Sequence, residues 1–365
     1  MLGALSVALL SCAAPASAAP ASAPAWHTDY QRTGVVIEQI AATGARNAWA
    51  IGRDTSGPGG VLLHWNGESW RTMSYPGERA SAPAAIFALS AADFWLFVSS
   101  SSPALHWRSG NWSTLALPVN ADPMAVLSDT DIWVAGGQSS PSACPPPEND
   151  ACSLTSHWNG VSWTTYPLPA TEIDGASASS PSSVWAIGEN SLRHKPVGGG
   201  FEVSFVPAVY RWTGTAWQRT ALAGRRTSQA PSIVALSARQ VYVGESATGY
   251  PRACAMHWTG TRWRPFYLPA SSYLKGASRA CGWLAPDFHG GLWFNGPSPL
   301  PYFSFVHWSG GHFTSTPHFT PDKNGWNTDG FTLAAVPHSK SDWLYGSWCL
   351  PTRKCVTKGL IAALR

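Results

Sequence analysis

A heptapeptide, HWNGESW at 64–70, returns five more times with small changes: HWRSGNW at 106, HWNGVSW at 157, RWTGTAW at 211, HWTGTRW at 257 and HWSGGHF at 307. One active site is not copied six times along a chain, so the motif belongs to an architecture. A second pattern precedes it, as in ALSAADFWLF at 88, VLSDTDIWVAGG at 126 and ALSARQVYVG at 235. Apolar residues, a Ser-x-x-Asp-like turn and an aromatic strand read as a β-hairpin. Its marker aromatics are Trp49, Trp95, Trp133, Trp185, Tyr242, Trp293 and Trp343, seven units spaced 38 to 57 residues apart.

Each unit therefore holds four strands: A before the Ser-x-x-Asp turn, B with the marker aromatic, C with His-Trp, and D from the last Trp. Four short antiparallel strands at this period describe one propeller blade. The expected fold is an all-β, seven-bladed β-propeller over residues 26–365. The seventh unit ends at GLIAALR, a strand C with no D after it, while WHTDYQ at 26 aligns with WRTMSY at 70. An N-terminal strand D is expected to complete the C-terminal blade and close the ring, which removes exposed sheet edges.

Asn66-Gly67 suits a two-residue type I′ turn, and a four-residue loop pairs Trp65 directly with Trp70. Either geometry puts both tryptophans on one sheet face, in the wedge between blades. His64, His106, His157, His257 and His307 fall on the opposite face, in separate blades, as packing histidines that share no metal.

Strand B ending in Gly, an aromatic strand C, a tight turn and then Trp resemble the kelch repeat, whose units build propellers such as the galactose oxidase domain. Gly136-Gly137 alone reproduces the kelch double glycine. The chain is thus similar to secreted bacterial propellers with kelch-like repeats. The turn and Trp also resemble the Asp-box of sialidase-like propellers, without its Ser-x-Asp-x-Gly. The resemblance implies a fold and no activity. A copper radical oxidase needs a Tyr/Cys crosslink, and the cysteines here have another assignment.

That assignment follows from the N-terminus. Residues 1–18 carry an apolar stretch too short to span a bilayer, then Ala-Ser-Ala at 16–18, a secretory cleavage pattern. Residues 19–25 form an Ala/Pro/Ser linker. Leu9-Leu10-Ser11-Cys12 also resembles a bacterial lipobox, so a lipid anchor at Cys12, at the outer surface of the cell membrane, is the alternative to secretion. Either way six cysteines remain: Cys144 with Cys152, Cys349 with Cys355 and Cys254 with Cys281 are the expected disulfides. The lack of any CxxC argues against zinc.

Charged residues make up 12% of the chain and the net charge is +4 without a basic run, which excludes a nucleic-acid footprint. There is no GxSxG, HExxH or phosphate-binding glycine loop. The expected function is a monomeric, non-catalytic binding module for an extracellular glycan or a cell-surface protein. The alternative is a propeller-type glycoside hydrolase or lyase with two carboxylates at the channel mouth. B–C loops lengthen at 137–153, 189–208 and 295–305, all on the face shared with the D–A loops, where binding resides. Eleven residues before each marker aromatic stand Glu38, Ala84, Asp122, Asp174, Pro231, Gly282 and Thr332. Glu38, Asp122 and Asp174 are expected to converge on the channel mouth, binding sugar hydroxyls or Ca²⁺. No other cofactor is expected.

Overall fold

The computed structural model describes residues 24–118, 120–138, 152–170, 172–197, 200–220, 222, 232–244, 254–268, 283–295, 305–319, 327–337, 339, 342–350 and 356–365. These residues form seven sheets, each of four antiparallel strands. Blade 1 has strands A at Val35–Gly44, B at Asn47–Asp54, C at Gly60–Trp65 and D at Trp70–Met73. Blades 2 to 6 repeat this order over 85–115, 121–168, 172–220, 232–266 and 284–315. Blade 7 takes A, B and C from Asn327–Ala335, Asp342–Leu350 and Val356–Leu364. Its strand D is the N-terminal Trp26–Thr33, which pairs with the C-terminal strand from Trp26↔Leu364 to Thr33↔Lys358. The expected closure is therefore present, and the ring has no free end. No helix among the described residues is long and apolar enough to cross a membrane.

The core is seven wedges rather than one centre, because each buried cluster joins the facing sides of two adjacent blades. The marker aromatic of one blade enters the C and D aromatics of the next. Trp343 of blade 7 meets Trp65 and Trp70 of blade 1 with ring centroids 5.7 and 5.3 Å apart. Trp133 meets Trp212 and Trp217 at 4.9 and 5.7 Å, and Trp185 meets Trp258 and Trp263 at 5.6 and 6.1 Å. These tilted and edge-on contacts suit aromatic quadrupoles, and burying each ring stabilises by roughly 2 to 3 kcal/mol.

The heptapeptide turn settles on the longer of its two geometries. Trp65 pairs directly with Trp70, and Gly67 has φ +96°. Asn66 begins the loop, its side-chain oxygen accepting the N–H groups of Glu68 and Ser69 at 3.0 Å. Two-residue turns with both φ values positive, as type I′ requires, occur instead at Ser109-Gly110 and Gly310-Gly311.

A second departure lies in blade 4. The stretch expected as a long B–C loop at 189–208 continues the ladder: Ser183–Val197 and Gly200–Trp212 pair out to Val197↔Gly200. At about 3.3 Å per residue, this hairpin extends well beyond the strands of neighbouring blades.

Candidate functional site

The two rims of the ring are chemically different. At the rim of the A–B and C–D turns, each heptapeptide histidine lies across the ladder from its marker aromatic and stacks on it. Centroid separations are 4.0 Å for Trp49–His64, 4.1 Å for Trp95–His106, 4.4 Å for Trp133–His157, 4.4 Å for Tyr242–His257 and 4.3 Å for Trp293–His307. In blade 4 the guanidinium of Arg211 replaces the imidazole, 5.7 Å from the Trp185 ring. The imidazole Nε2 is anchored on Asn47, Asp93, Asp131 or Asp287 in four blades, at 2.8 to 3.0 Å. In blade 5, Nε2 of His257 has no hydrogen-bond partner among the described residues. Burial lowers the pKa of His64, and burial followed by the Arg264 charge lowers that of His257, so both favour the neutral ring. The histidines are packing groups, as expected.

One cluster at this rim has metal-ligand character. Ligand atoms of Asp93, His106 and Asp129 lie within 4.8 Å of one another, the one such trio among the described residues. Each already has protein partners. His106 Nε2 is 2.8 Å from Asp93 and 3.3 Å from Asp129. Arg108 donates to Asp129 at 2.7 Å, and Trp95 Nε1 donates to the same carboxylate at 3.2 Å. The cluster fastens blade 2 to blade 3.

In blade 6 the same rim carries local strain. Phe288 is 53% exposed with φ +59°, a costly conformation for a bulky residue. Asp287 holds it there, accepting the N–H groups of His289 and Gly291 at 2.7 Å and bonding His307 at 2.8 Å. Burial opposes ionisation of Asp287, but these hydrogen bonds outweigh it and keep its carboxyl below the usual range. Next to it Asp342 of blade 7 is pushed up to about 7, by burial first and then by the Asp287 charge.

Strands A of all seven blades line a central channel of about 480 Å³. Its lining is mainly alanine, isoleucine, leucine and other apolar side chains, and its polar side chains stitch neighbouring blades together. The Gln39 amide exchanges hydrogen bonds with the Ile86 backbone at 3.0 and 2.9 Å. Ser177 accepts the N–H of Ala235 at 2.9 Å. The channel therefore offers few polar side chains to a ligand.

The opposite end is different. At the loop-bearing rim a cavity of about 450 Å³ opens between blades 6, 7 and 1, lined by Glu38, Arg53, Trp283, Thr332, Tyr345 and Ser347 among others. Strand A of blade 1 carries a bulge at Glu38, the extra residue between the pairs Ile37↔Gly52 and Gln39↔Ile51. The bulge explains the strand-B glycine. A Cβ on Gly52 would lie 2.0 Å from the Val36 carbonyl oxygen, and at Gly136 and Gly188 the corresponding distances are 1.8 and 2.2 Å. Strand A is bulged in those blades too, at Met124 and Asp174. Arg53 donates Nε to Glu38 Oε1 at 2.8 Å. Tyr345 sits across the ladder from Thr332, and burial pushes its phenol well above the ordinary range.

Of the residues eleven positions before the markers, Glu38 and Thr332 line this cavity. Asp122 and Asp174 are exposed near the starts of their own strands A and do not line it. Glu38, Asp122 and Asp174 do not form a trio of close ligand atoms. Arg53, Trp283 and Tyr345 were not anticipated. Arg53 follows the strand-B glycine directly, and that adjacency is the signal in the sequence that points to it. Cys152 and Cys254 are completely buried. Residues 1–18, most of the linker, Cys12, Cys144, Cys281, Cys355, Pro231 and Gly282 lie outside the described residues, as does the side chain of Cys349.

The fold defines the class: a seven-bladed β-propeller. No protein-family model and no curated protein matches the chain. Solved structures do. The structure of YCF48 bound to D1 peptide is 11% identical, covering 93% of this chain and 96% of its own, with a TM-score of 0.55. YCF48 from Cyanidioschyzon merolae is 12% identical over 93% and 99%, with a TM-score of 0.54. A puromycin-hydrolysing peptidase of Mycobacterium tuberculosis is 11% identical over 88% of this chain and 51% of its own, also at 0.54. At such identities the likeness concerns the fold alone.

Proposed function

We propose that the chain is a secreted, non-catalytic binding module with kelch-like blades, which holds an extracellular glycan or cell-surface protein at the loop-bearing rim. The observation that carries this reading is the mouth cavity. A charged pair, hydroxyl groups and an aromatic ring converge there on a rigid ring, as ligand sites require. Among the described residues lining it, Glu38 is the sole carboxylate, whereas a glycosidase mechanism uses two. Glu38 also has Arg53 as its partner, which favours hydrogen bonding to hydroxyls over calcium. Export and three disulfides belong to the same proposal, supported by the Ala-Ser-Ala pattern and by the six cysteines that remain once Cys12 is set aside. Cleavage after Ala18 is expected.

The test is binding by the mature chain to a glycan array and to intact cells, with hydrolysis of the same glycans followed in parallel. Saturable binding without turnover is the expected result. Release of reducing ends or of unsaturated sugars would replace the binding-module reading with the enzyme reading.

A further inference from the structure

The repeat supplies its own control for deciding which residues the fold requires. At the turn-bearing rim the same residue types return in blade after blade. The mouth cavity breaks that rule. Four positions after the marker aromatic the seven units carry Arg53, Ser99, Gly137, Glu189, Ser246, Pro297 and Ser347, so blade 1 alone places a cation there. Bulged strands A recur in blades 3, 4 and 7, with Met124, Asp174 and Asp329 as their extra residues, and in blade 1 the bulge residue Glu38 is set against Arg53 of the same blade. The Arg53 and Glu38 side chains are 49% and 35% exposed, and such pairs add little to stability. Blade construction does not account for them.

Resting on the binding-module reading, we infer that this cavity is a subsite for one terminal, uncharged pyranose of a glycan. Three observations choose that ligand class. The paired charges of Glu38 and Arg53 cancel locally, so neither an anionic nor a cationic group gains from the field. The pair sets a carboxylate acceptor beside guanidinium donors, the combination that adjacent hydroxyl groups on a ring satisfy together. Trp283, half-buried at the junction of cavity and channel, supplies an aromatic ring for the apolar C–H face of a sugar. A volume of about 450 Å³ holds a single pyranose with room for its linkage to the next unit.

The experiment titrates the mature full-length protein with methyl glycosides of galactose, glucose, mannose and fucose, followed by tryptophan fluorescence and calorimetry. Glucuronic and sialic acids and glucosamine are the charged controls. At least one neutral glycoside is expected to saturate. Glu38→Gln and Trp283→Ala should each weaken it tenfold or more, with Trp283→Phe intermediate and the melting temperature of Glu38→Gln unchanged. Val161→Ser, in an exposed turn on the other rim, should bind as the parent does. Neutral-sugar binding that survives both Glu38→Gln and Trp283→Ala would move the site elsewhere and leave the binding-module reading standing. Tighter binding of a charged control, or binding of cells or peptides with no glycoside bound, would overturn the sugar class alone. A folded protein that binds no sugar, peptide or cell would overturn both.

Discussion

At the turn-bearing rim five blades stack a histidine on the marker aromatic and a sixth stacks an arginine. At the loop-bearing rim, blade 1 has its Glu38–Arg53 pair and blade 4 its long hairpin. The first rim solves one packing problem repeatedly: a wedge between twisted sheets must be filled, and an imidazole ring stacked on the marker aromatic recurs in five of the seven blades. The second rim is held in place by those wedges and is free of that demand. Repetition here marks structure, and its interruption marks the candidate site.

The comparison is broken most severely by opening the ring. A chain beginning at Thr33 lacks strand D of blade 7 and exposes both a sheet edge and the apolar side of that blade. Aggregation, or loss of a single cooperative transition in calorimetry, is expected. Binding at the mouth should disappear with it, because blades 7 and 1 form two of its three walls.

Next comes Trp133→Ala at a repeated position. Trp133 is 1% exposed and touches His157, Trp212 and Trp217. The cavity left behind should cost about 3–5 kcal/mol in chemical denaturation. Gly52→Ala should cost about 1–3 kcal/mol, since its Cβ meets the Val36 carbonyl oxygen at 2.0 Å. That substitution joins the two rims: it should also weaken ligand binding by shifting the bulge that carries Glu38.

A smaller effect separates the rims by pH. Asp342, pushed up to about 7, keeps a proton in the folded protein that the unfolded chain releases above about 4. Stability from this group therefore falls as pH rises from about 4 and levels off above 7. Asp287 acts in the opposite sense: its lowered pKa contributes stability above the usual carboxylate range, lost as pH falls through the lowered value. Asp342→Asn should raise the melting temperature at pH 8 and flatten its decline between pH 5 and 8. An unchanged pH profile in that variant would mean that the Asp287–Asp342 contact does not govern it.

The smallest effect on stability is expected at the mouth. Glu38→Ala removes a half-exposed pair and should change unfolding by roughly 0–1 kcal/mol. A loss of several kcal/mol would make the pair structural and erase the distinction between the rims.

The seven units, their four strands, the shared face of Trp65 and Trp70, and closure by residues 26–31 were all legible in the sequence. Turn chemistry and period-2 alternation are written in consecutive residues, and a unit copied several times repeats its own instructions. Of the residues eleven positions before the markers, Glu38 and Thr332 line the cavity between blades 6, 7 and 1. Asp122 and Asp174 do not line that cavity, because the count measures height along a blade and carries no information about direction around a ring. The paired hairpin at 183–212 is only half written in the sequence: FEVSF at 201–205 alternates as a strand does, but its partner ENSLRHKPV at 189–197 does not, and the register is inherited from the blade below. Only the closed ring sets Trp283 of blade 6 and Tyr345 of blade 7 beside Glu38 and Arg53 of blade 1. These residues lie some 230 to 310 positions apart in the chain, and it is packing between blades, absent from any local pattern, that brings them together.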